Sequence, residues 1–418
     1  MSHPFLDRLQ QGPILCDGAM GTLLYERGIP LDHCFDELNL SQPDLVVEIH
    51  REYIAAGAEI IETNSFGANR FKLDQYGLAD KCRQINRRAA KNAREAREIS
   101  GQPVLIAGSI GPTGRTLAPI GTTPAHLARE AYQEQASALL EGGVDLLIIE
   151  TISSLDEMRE AVLAAREVAD LPIIAQMTFA EDGRTIAGNS PAEVVEALSA
   201  LGVTVIGANC SVGPRRTLDV LREMAGEAGS DTNFSGQPNA GWPMQVGGRV
   251  IYPSSPEYFA NFAREAIAGG VSIVGGCCGT TPAHIAAMRQ AIDLLDRSNG
   301  HRDRSTIEIR RPRTKELLAA EGPTRLAEKL GKEFVVSVEV DPPKGLNARK
   351  TLAGAQLLHD AGVEFINVAD SPMARVRMSA LTLCYLIQHQ VGVETILHFT
   401  TRDRNLMGLQ SDLIGAHA

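Results

Sequence analysis

Short apolar runs rich in β-branched residues alternate with longer stretches of helical periodicity through the first three-quarters of the chain. This is the pattern of repeated βα units that build a parallel sheet. Eight runs are readable: Pro13–Cys16, Ala58–Glu62, Val104–Ser109, Val144–Glu150, Pro172–Thr178, Val203–Asn209, Asn233–Gln237 and Val271–Gly276. A strand buried on both faces should be almost continuously apolar, as Val144–Ile149 and Val203–Ile206 are. Between the runs, Ser41–Ala56, Pro124–Glu141, Leu155–Val168 and Pro191–Leu201 read as amphipathic helices, the first with Ser41 as its N-cap. Eight units over this length favour a closed barrel over an open doubly wound sheet. The expected architecture is α/β, a (β/α)8 TIM barrel over residues 1–295, a polar and basic linker over 296–325, and a second β/α segment over 326–418. That last segment shows strands near Phe334–Val340, Phe365–Ala369 and Thr395–Phe399, too few to close a barrel, and so reads as a truncated barrel fragment.

Composition narrows the function classes. A net charge of −11 argues against general nucleic-acid binding, and 44% apolar with 22% charged residues describes a globular chain without a membrane-length apolar run. The N-terminus MSHPFLDRLQQGPILCDG lacks the pattern of a secretion signal, which points to the cytoplasm. Seven cysteines in a reducing compartment are better read as buried hydrophobes, reactive thiols or metal ligands than as a disulfide framework.

Barrel enzymes keep their chemistry at the C-terminal ends of the strands. Applied here, that rule selects Asp17, Glu62, Asn64, Glu150, Asn209, Cys210, Asn239, Cys277 and Cys278. Cys210 ends the sixth run, and Cys277 and Cys278 follow the eighth, so a barrel would bring three thiols together. Three sulfurs and one exchangeable position form the layout of a catalytic Zn²⁺ site, and zinc favours thiolates over harder ligands. A substrate thiol in the fourth position would lose its proton and gain nucleophilicity, so no general base is required. Asp17 and Glu150 could hold the ammonium of an amino-acid substrate, while backbone amides of the turn Gly18, Ala19, Met20, Gly21 and Thr22 could take its carboxylate. The bland alternatives are core cysteines, a helix N-cap for Asp17 and a solvated charge for Glu150. A redox pair at Cys277–Cys278 is disfavoured, because adjacent cysteines form strained disulfides.

The motifs DGAMGT (Asp17–Thr22), ETNSF (Glu62–Phe66), Glu150–Thr151, GANC (Gly207–Cys210) and GGCCGT (Gly275–Thr280) resemble the homocysteine S-methyltransferase family over roughly residues 5–295. The resemblance implies that Cys210, Cys277 and Cys278 bind zinc, that Asp17 and Glu150 contact homocysteine, and that Asn209 and Asn239 lie beside the metal. Downstream, VEVDPPKG (Val338–Gly345), NVADSP (Asn367–Pro372) and HFTTRDRN (His398–Asn405) look like the opening of the methylenetetrahydrofolate reductase family. That resemblance implies an acid at Glu339 and flavin-contacting positions at Asp370, His398 and Thr400, with FAD and NAD(P)H expected only for a complete reductase domain. Their fusion implies 5-methyltetrahydrofolate as methyl donor to homocysteine. Betaine, S-methylmethionine and methylcobalamin are the alternatives, and a non-catalytic zinc module regulating the reductase is the rival class. Oligomeric state is not encoded in these motifs.

Overall fold

The computed structural model describes residues 3–229, 232–246, 249–299, 324–345, 347–370 and 376–401, together with 408, 409, 412, 413 and 416; for 244–246, 249–251 and 296–299 it describes the backbone alone. The chain divides into two compact units, residues 1–305 and 306–418. No helix among the described residues is long and apolar enough to cross a membrane.

In the first unit, strands β1 (Ile14–Leu15), β2 (Ile60–Glu62), β3 (Leu105–Ile110), β4 (Leu146–Ile152), β5 (Ile173–Met177), β6 (Val205–Asn209) and β7 (Asn233–Gln237) follow the predicted order. A short antiparallel hairpin, β8 (Met244–Val246) with β9 (Arg249–Ile251), precedes the last barrel strand, β10 (Ile273–Val274). The barrel strands are all parallel and neighbour one another as β1-β10-β7-β6-β5-β4-β3-β2. A bridge between Cys16 and Ile60 joins the two ends of that order, which completes the predicted barrel. Several strands are shorter than their apolar runs. The run Val271–Gly276 keeps a ladder only at Ile273–Val274, and beyond it Gly276 donates instead to the carbonyl of Asp17.

The apolar alternation sorts side chains into two layers. Ile14, Ile60, Ala107, Leu146, Ile148, Ile174, Val205 and Ile273 fill the barrel interior, and Phe5 from the helix Pro4–Leu9 joins them. Their alternates, such as Leu15, Ile61, Leu147, Ile149 and Ile206, pack outward against the helices. Glu59, just before β2, accepts from Arg8 at 2.6 Å and from Arg289 at 2.9 Å, tying the first and last helices of the barrel at the end opposite the strand C-termini.

Helix boundaries follow capping rules with one correction. Ser41 is not the N-cap of the first long helix. That helix is Pro43–Ala55 with Gln42 at the cap, because the pyrrolidine of Pro43 is best accommodated at the first helical position. Ser41 closes the short helix Leu38–Ser41, and its hydroxyl donates to Glu37. By contrast, Ser190 heads Pro191–Ala200 with a complete capping box to Glu193. The last barrel helix, Pro282–Asn299, runs into the segment read as a linker, and residues 300–323 lie outside the described residues.

The second unit has strands β11 (Ser337–Val340), β12 (Phe365–Val368) and β13 (Glu394–Leu397) in one parallel sheet of that order. The helices Arg349–Asp360 and Ala380–Gln390 cover a small core of Ala355, Ile366, Val368, Leu383 and Ile387. Phe334, expected to begin β11, precedes that strand and is 94% exposed.

Close strand packing makes one glycine indispensable. A Cβ at Gly207 would lie 2.5 Å from the carbonyl oxygen of Ser235 on the neighbouring strand, so Gly207→Ala is expected to destabilise the chain by about 1–3 kcal/mol. Gly226, helical with open space around its Cα, is the control: Gly226→Ala should stabilise by up to about 1 kcal/mol, both read from urea unfolding midpoints.

Candidate functional site

Four backbone hydrogen bonds assemble the thiols. The segment after β7 lies between the ends of β6 and β10 and bonds to both. On one side Cys210 N donates to Gln237 O and Asn239 N to Val212 O, at 3.0 and 3.1 Å. On the other, Cys277 N donates to Pro238 O and Ala240 N to Cys278 O, both at 2.8 Å. Cys210 and Ser211 take left-handed backbone angles, φ 59° and 55°, which turn the chain sharply off β6. The sulfurs of Cys210, Cys277 and Cys278 then lie within 4.8 Å of one another, with Cys210 and Cys278 4.0 Å apart.

The glycines beside the cysteine pair serve protein packing. A Cβ at Gly275 would sit 2.8 Å from Cys16 Cβ, and one at Gly279 would fall 2.1 Å from the ring of Tyr252. All seven cysteines are free. The three clustered thiols share protons. Hydrogen bonds from Cys210 and Cys277 hold Cys278 down to about 4, whereas bonding to Cys210 and Cys278, reinforced by burial, pushes Cys277 well up. At Cys210 the bond from Cys277 favours the thiolate but is outweighed by its bond to Cys278 and by burial, which raise it to about 12.

A second cluster, of carboxyls, lies at the same end of the barrel. Asp17 is buried and accepts the Glu62 amide at 3.0 Å. It caps no helix, since the next helix, Met20–Glu26, has Ala19 at its cap. Glu150 is buried rather than solvated. It accepts from Ser109 Oγ at 2.7 Å, Asn209 Nδ2 at 3.0 Å and Thr151 Oγ1 at 3.2 Å. Thr151 has φ 59°, and its amide and hydroxyl both bond Asn209, at 2.8 Å each. Glu62 accepts Gln237 Nε2 at 2.7 Å and the Cys16 thiol at 3.4 Å. Burial, then the charge of Asp17, raises Glu62 to about 7. Burial, then the charge of Glu62, pushes Glu150 well up, and burial raises Asp17 likewise.

The other sequence-selected residues fall into distinct places. Asn64 binds loops together, donating to Phe35 O while its own carbonyl accepts from Asn39. In the turn Gly18–Thr22, the Ala19 amide is already taken by Thr280 Oγ1 at 3.1 Å, and Thr22 Oγ1 accepts from Gly279. Asn239 is buried and its Oδ1 has no partner. In the second unit, Asp370 accepts the Thr400 amide at 3.0 Å and His398 N donates to Val368 O, while Glu339 is exposed on β11. The end of the HFTTRDRN motif, residues 402–405, lies outside the described residues. Sequence reasoning missed Ser109, Gln176 and Gln237, which hydrogen-bond among these groups from within β3, β5 and β7. The signal for Ser109 and Gln176 was a polar residue interrupting an otherwise apolar strand; Gln237 ends the mostly polar NFSGQ and carried no such signal.

A closed parallel barrel that gathers its buried acids and thiols at the strand C-termini defines a (β/α)8 barrel enzyme. The sequence profile described as homocysteine S-methyltransferase matches residues 14–292, and the chain belongs to that family of methyltransferases. The profile of methylenetetrahydrofolate reductase matches residues 325–418. Methionine synthases of Mycobacterium tuberculosis and Mycobacterium leprae are each 36% identical to it, over 70% and 69% of this chain. The chain spans about a quarter of their length, 26% and 25% respectively. The metallated form of the homocysteine methyltransferase MmuM from Escherichia coli is 26% identical and superposes with a TM-score of 0.59, over 68% of this chain and 98% of that one.

The acid cluster makes a pH prediction. Glu62 titrates near 7 in the folded chain and at about 4.5 when unfolded, so the folded state binds the extra proton and is destabilised as pH rises through that window. Relative to Glu62→Gln, the ligand-free wild type should lose thermal stability between about pH 4.5 and 7. Parallel melting-temperature profiles of the two chains would rule this out.

Proposed function

We propose that the barrel methylates the thiol of homocysteine to give methionine, using a zinc ion held by Cys210, Cys277 and Cys278 and 5-methyltetrahydrofolate as donor. The convergence of the three thiols carries this proposal. The 4.0 Å between the sulfurs of Cys210 and Cys278 is close to the roughly 3.8 Å expected for two sulfurs about 2.3 Å from a tetrahedral zinc. The all-sulfur donor set suits that ion, and the unpartnered Oδ1 of Asn239 offers a further acceptor on the segment bonded to both cysteine strands. Bound there, zinc would supply the Lewis acidity that lowers the pKa of a substrate thiol.

The remaining work falls to the chain's own side chains. Asp17 and Glu150 hold the substrate ammonium, each already oriented by hydrogen bonds, Asp17 by the Glu62 amide and Glu150 by Ser109, Thr151 and Asn209. Among the described residues no lysine or arginine forms a salt bridge with Asp17, Glu62 or Glu150, so a cationic ligand is the natural complement of two buried acids and the half-buried Glu62 beside them. The substrate carboxylate is assigned to amides of the turn Gly18–Thr22 other than that of Ala19. No general base is assigned. The seven free thiols suit a reducing, cytoplasmic setting. Folate is preferred as donor because the chain carries a segment of the reductase family. Reductase chemistry with FAD and NAD(P)H is left to a complete reductase barrel, with Glu339, Asp370, His398 and Thr400 as its contributions from this segment.

Zinc analysis and X-ray absorption with and without L-homocysteine test the site. One zinc per chain whose sulfur coordination rises on adding substrate is expected; a metal-free chain, or a shell indifferent to homocysteine, overturns it. Glu150→Gln should keep its zinc and raise the homocysteine KM roughly 10- to 100-fold, the worth of a hydrogen bond to a charged group. Methionine formation assayed with 5-methyltetrahydrofolate, betaine, S-methylmethionine and methylcobalamin decides the donor, and turnover with betaine alone defeats the folate assignment.

A further inference from the structure

Trp242 is the only tryptophan in the chain. It is 53% exposed, yet its indole nitrogen donates to Glu181 Oε1 at 2.9 Å. The two residues come from different loops at the strand C-termini, Glu181 after β5 and Trp242 after β7. Both loops are held in place. The Glu181 loop is closed by hydrogen bonds from Ala180 to Arg184 and from Thr185 to Asn189, and it is tied to the end of β4 through Ala187 and Ser153. Trp242 follows Ala240, whose amide bonds the carbonyl of Cys278, and two residues span at most about 7 Å of chain. An indole fixed by its N–H while its faces remain partly in water gains little from folding, but it is pre-organised to receive a flat ligand.

Geometry limits where a methyl donor can lie. Below the strand ends the barrel is filled by Ile14, Ile148, Ile174 and Val205, so the donor must approach the thiols from the loop side. Resting on the function proposed above, we propose that Trp242, anchored by Glu181, is the platform on which the flat nitrogen heterocycle of the methyl donor, a reduced pteridine, stacks. The Glu181 carboxylate at the edge of the indole suits the N–H donors that such a heterocycle carries.

The test uses the zinc-loaded chain. Trp242→Ala should raise the KM for 5-methyltetrahydrofolate roughly tenfold, as expected for loss of one aromatic stacking contact, with zinc content and homocysteine KM unchanged. Trp242→Phe, which keeps an aromatic face but loses the N–H anchor to Glu181, should recover part of the loss. In the wild type the donor should quench the emission of this single indole beyond its effect on free indole at the same concentrations. If the wild type turns over 5-methyltetrahydrofolate while Trp242→Ala leaves the donor KM unchanged, the platform is overturned and the donor assignment stands. If the wild type forms methionine only from betaine, S-methylmethionine or methylcobalamin, the donor assignment fails and the pteridine platform fails with it.

Discussion

Everything at the barrel mouth depends on the segment Gln237–Ala240 being hydrogen-bonded on both sides. β7 lies between β6 and β10, and the residues that follow it continue its ladder into the two cysteine-bearing turns. The thiols therefore meet because three consecutive strands of a closed sheet are extended past their ends by loop backbone, and no long side chain has to reach across. Closure matters equally. Without the Cys16–Ile60 bridge, Asp17 and Glu62 would stand at open edges, away from each other.

Electrostatics give this mouth an unusual character. Three thiols and three carboxyls, two of them buried and Glu62 half-buried, share one end of the barrel, and among the described residues no salt bridge neutralises the acids. Left alone, Glu62, Glu150 and Cys277 are pushed toward keeping their protons, while Cys278 is held low by hydrogen bonds from its neighbouring thiols. The two cations of the proposed function, a metal at the thiols and an ammonium at the carboxyls, address the same excess of negative potential. Each would ease the deprotonation its neighbour requires, so metal and substrate binding are expected to be linked through charge as well as through direct contact.

Much of the barrel was legible because its strands are buried on both faces. Runs such as Val144–Ile149 have no reading as a half-exposed strand, and eight of them at barrel spacing leave few topologies. The cysteine convergence was legible for a related reason: strand-end position alone selects Cys210, Cys277 and Cys278. What escaped detection lay where local and tertiary signals compete. Ser41 looked like a cap until Pro43 fixed the helix start one residue later. Ser109 and Gln176 are polar residues inside apolar strands, and only the closed barrel shows that their partners are Glu150 and Gln237. The β8–β9 hairpin escaped because its strands, three residues each, are too short to stand out by alternation.

Thr151 carries a consequence for how such a protein can be improved. A β-branched residue at φ 59° is strained, and glycine would relieve that strain at once. Yet the threonine hydroxyl bonds both Glu150 and Asn209, so glycine there would remove one of the three hydrogen bonds that orient the acid and leave it held by Ser109 and Asn209 alone. A library of variants screened for heat resistance and one screened for turnover would pull this single codon in opposite directions.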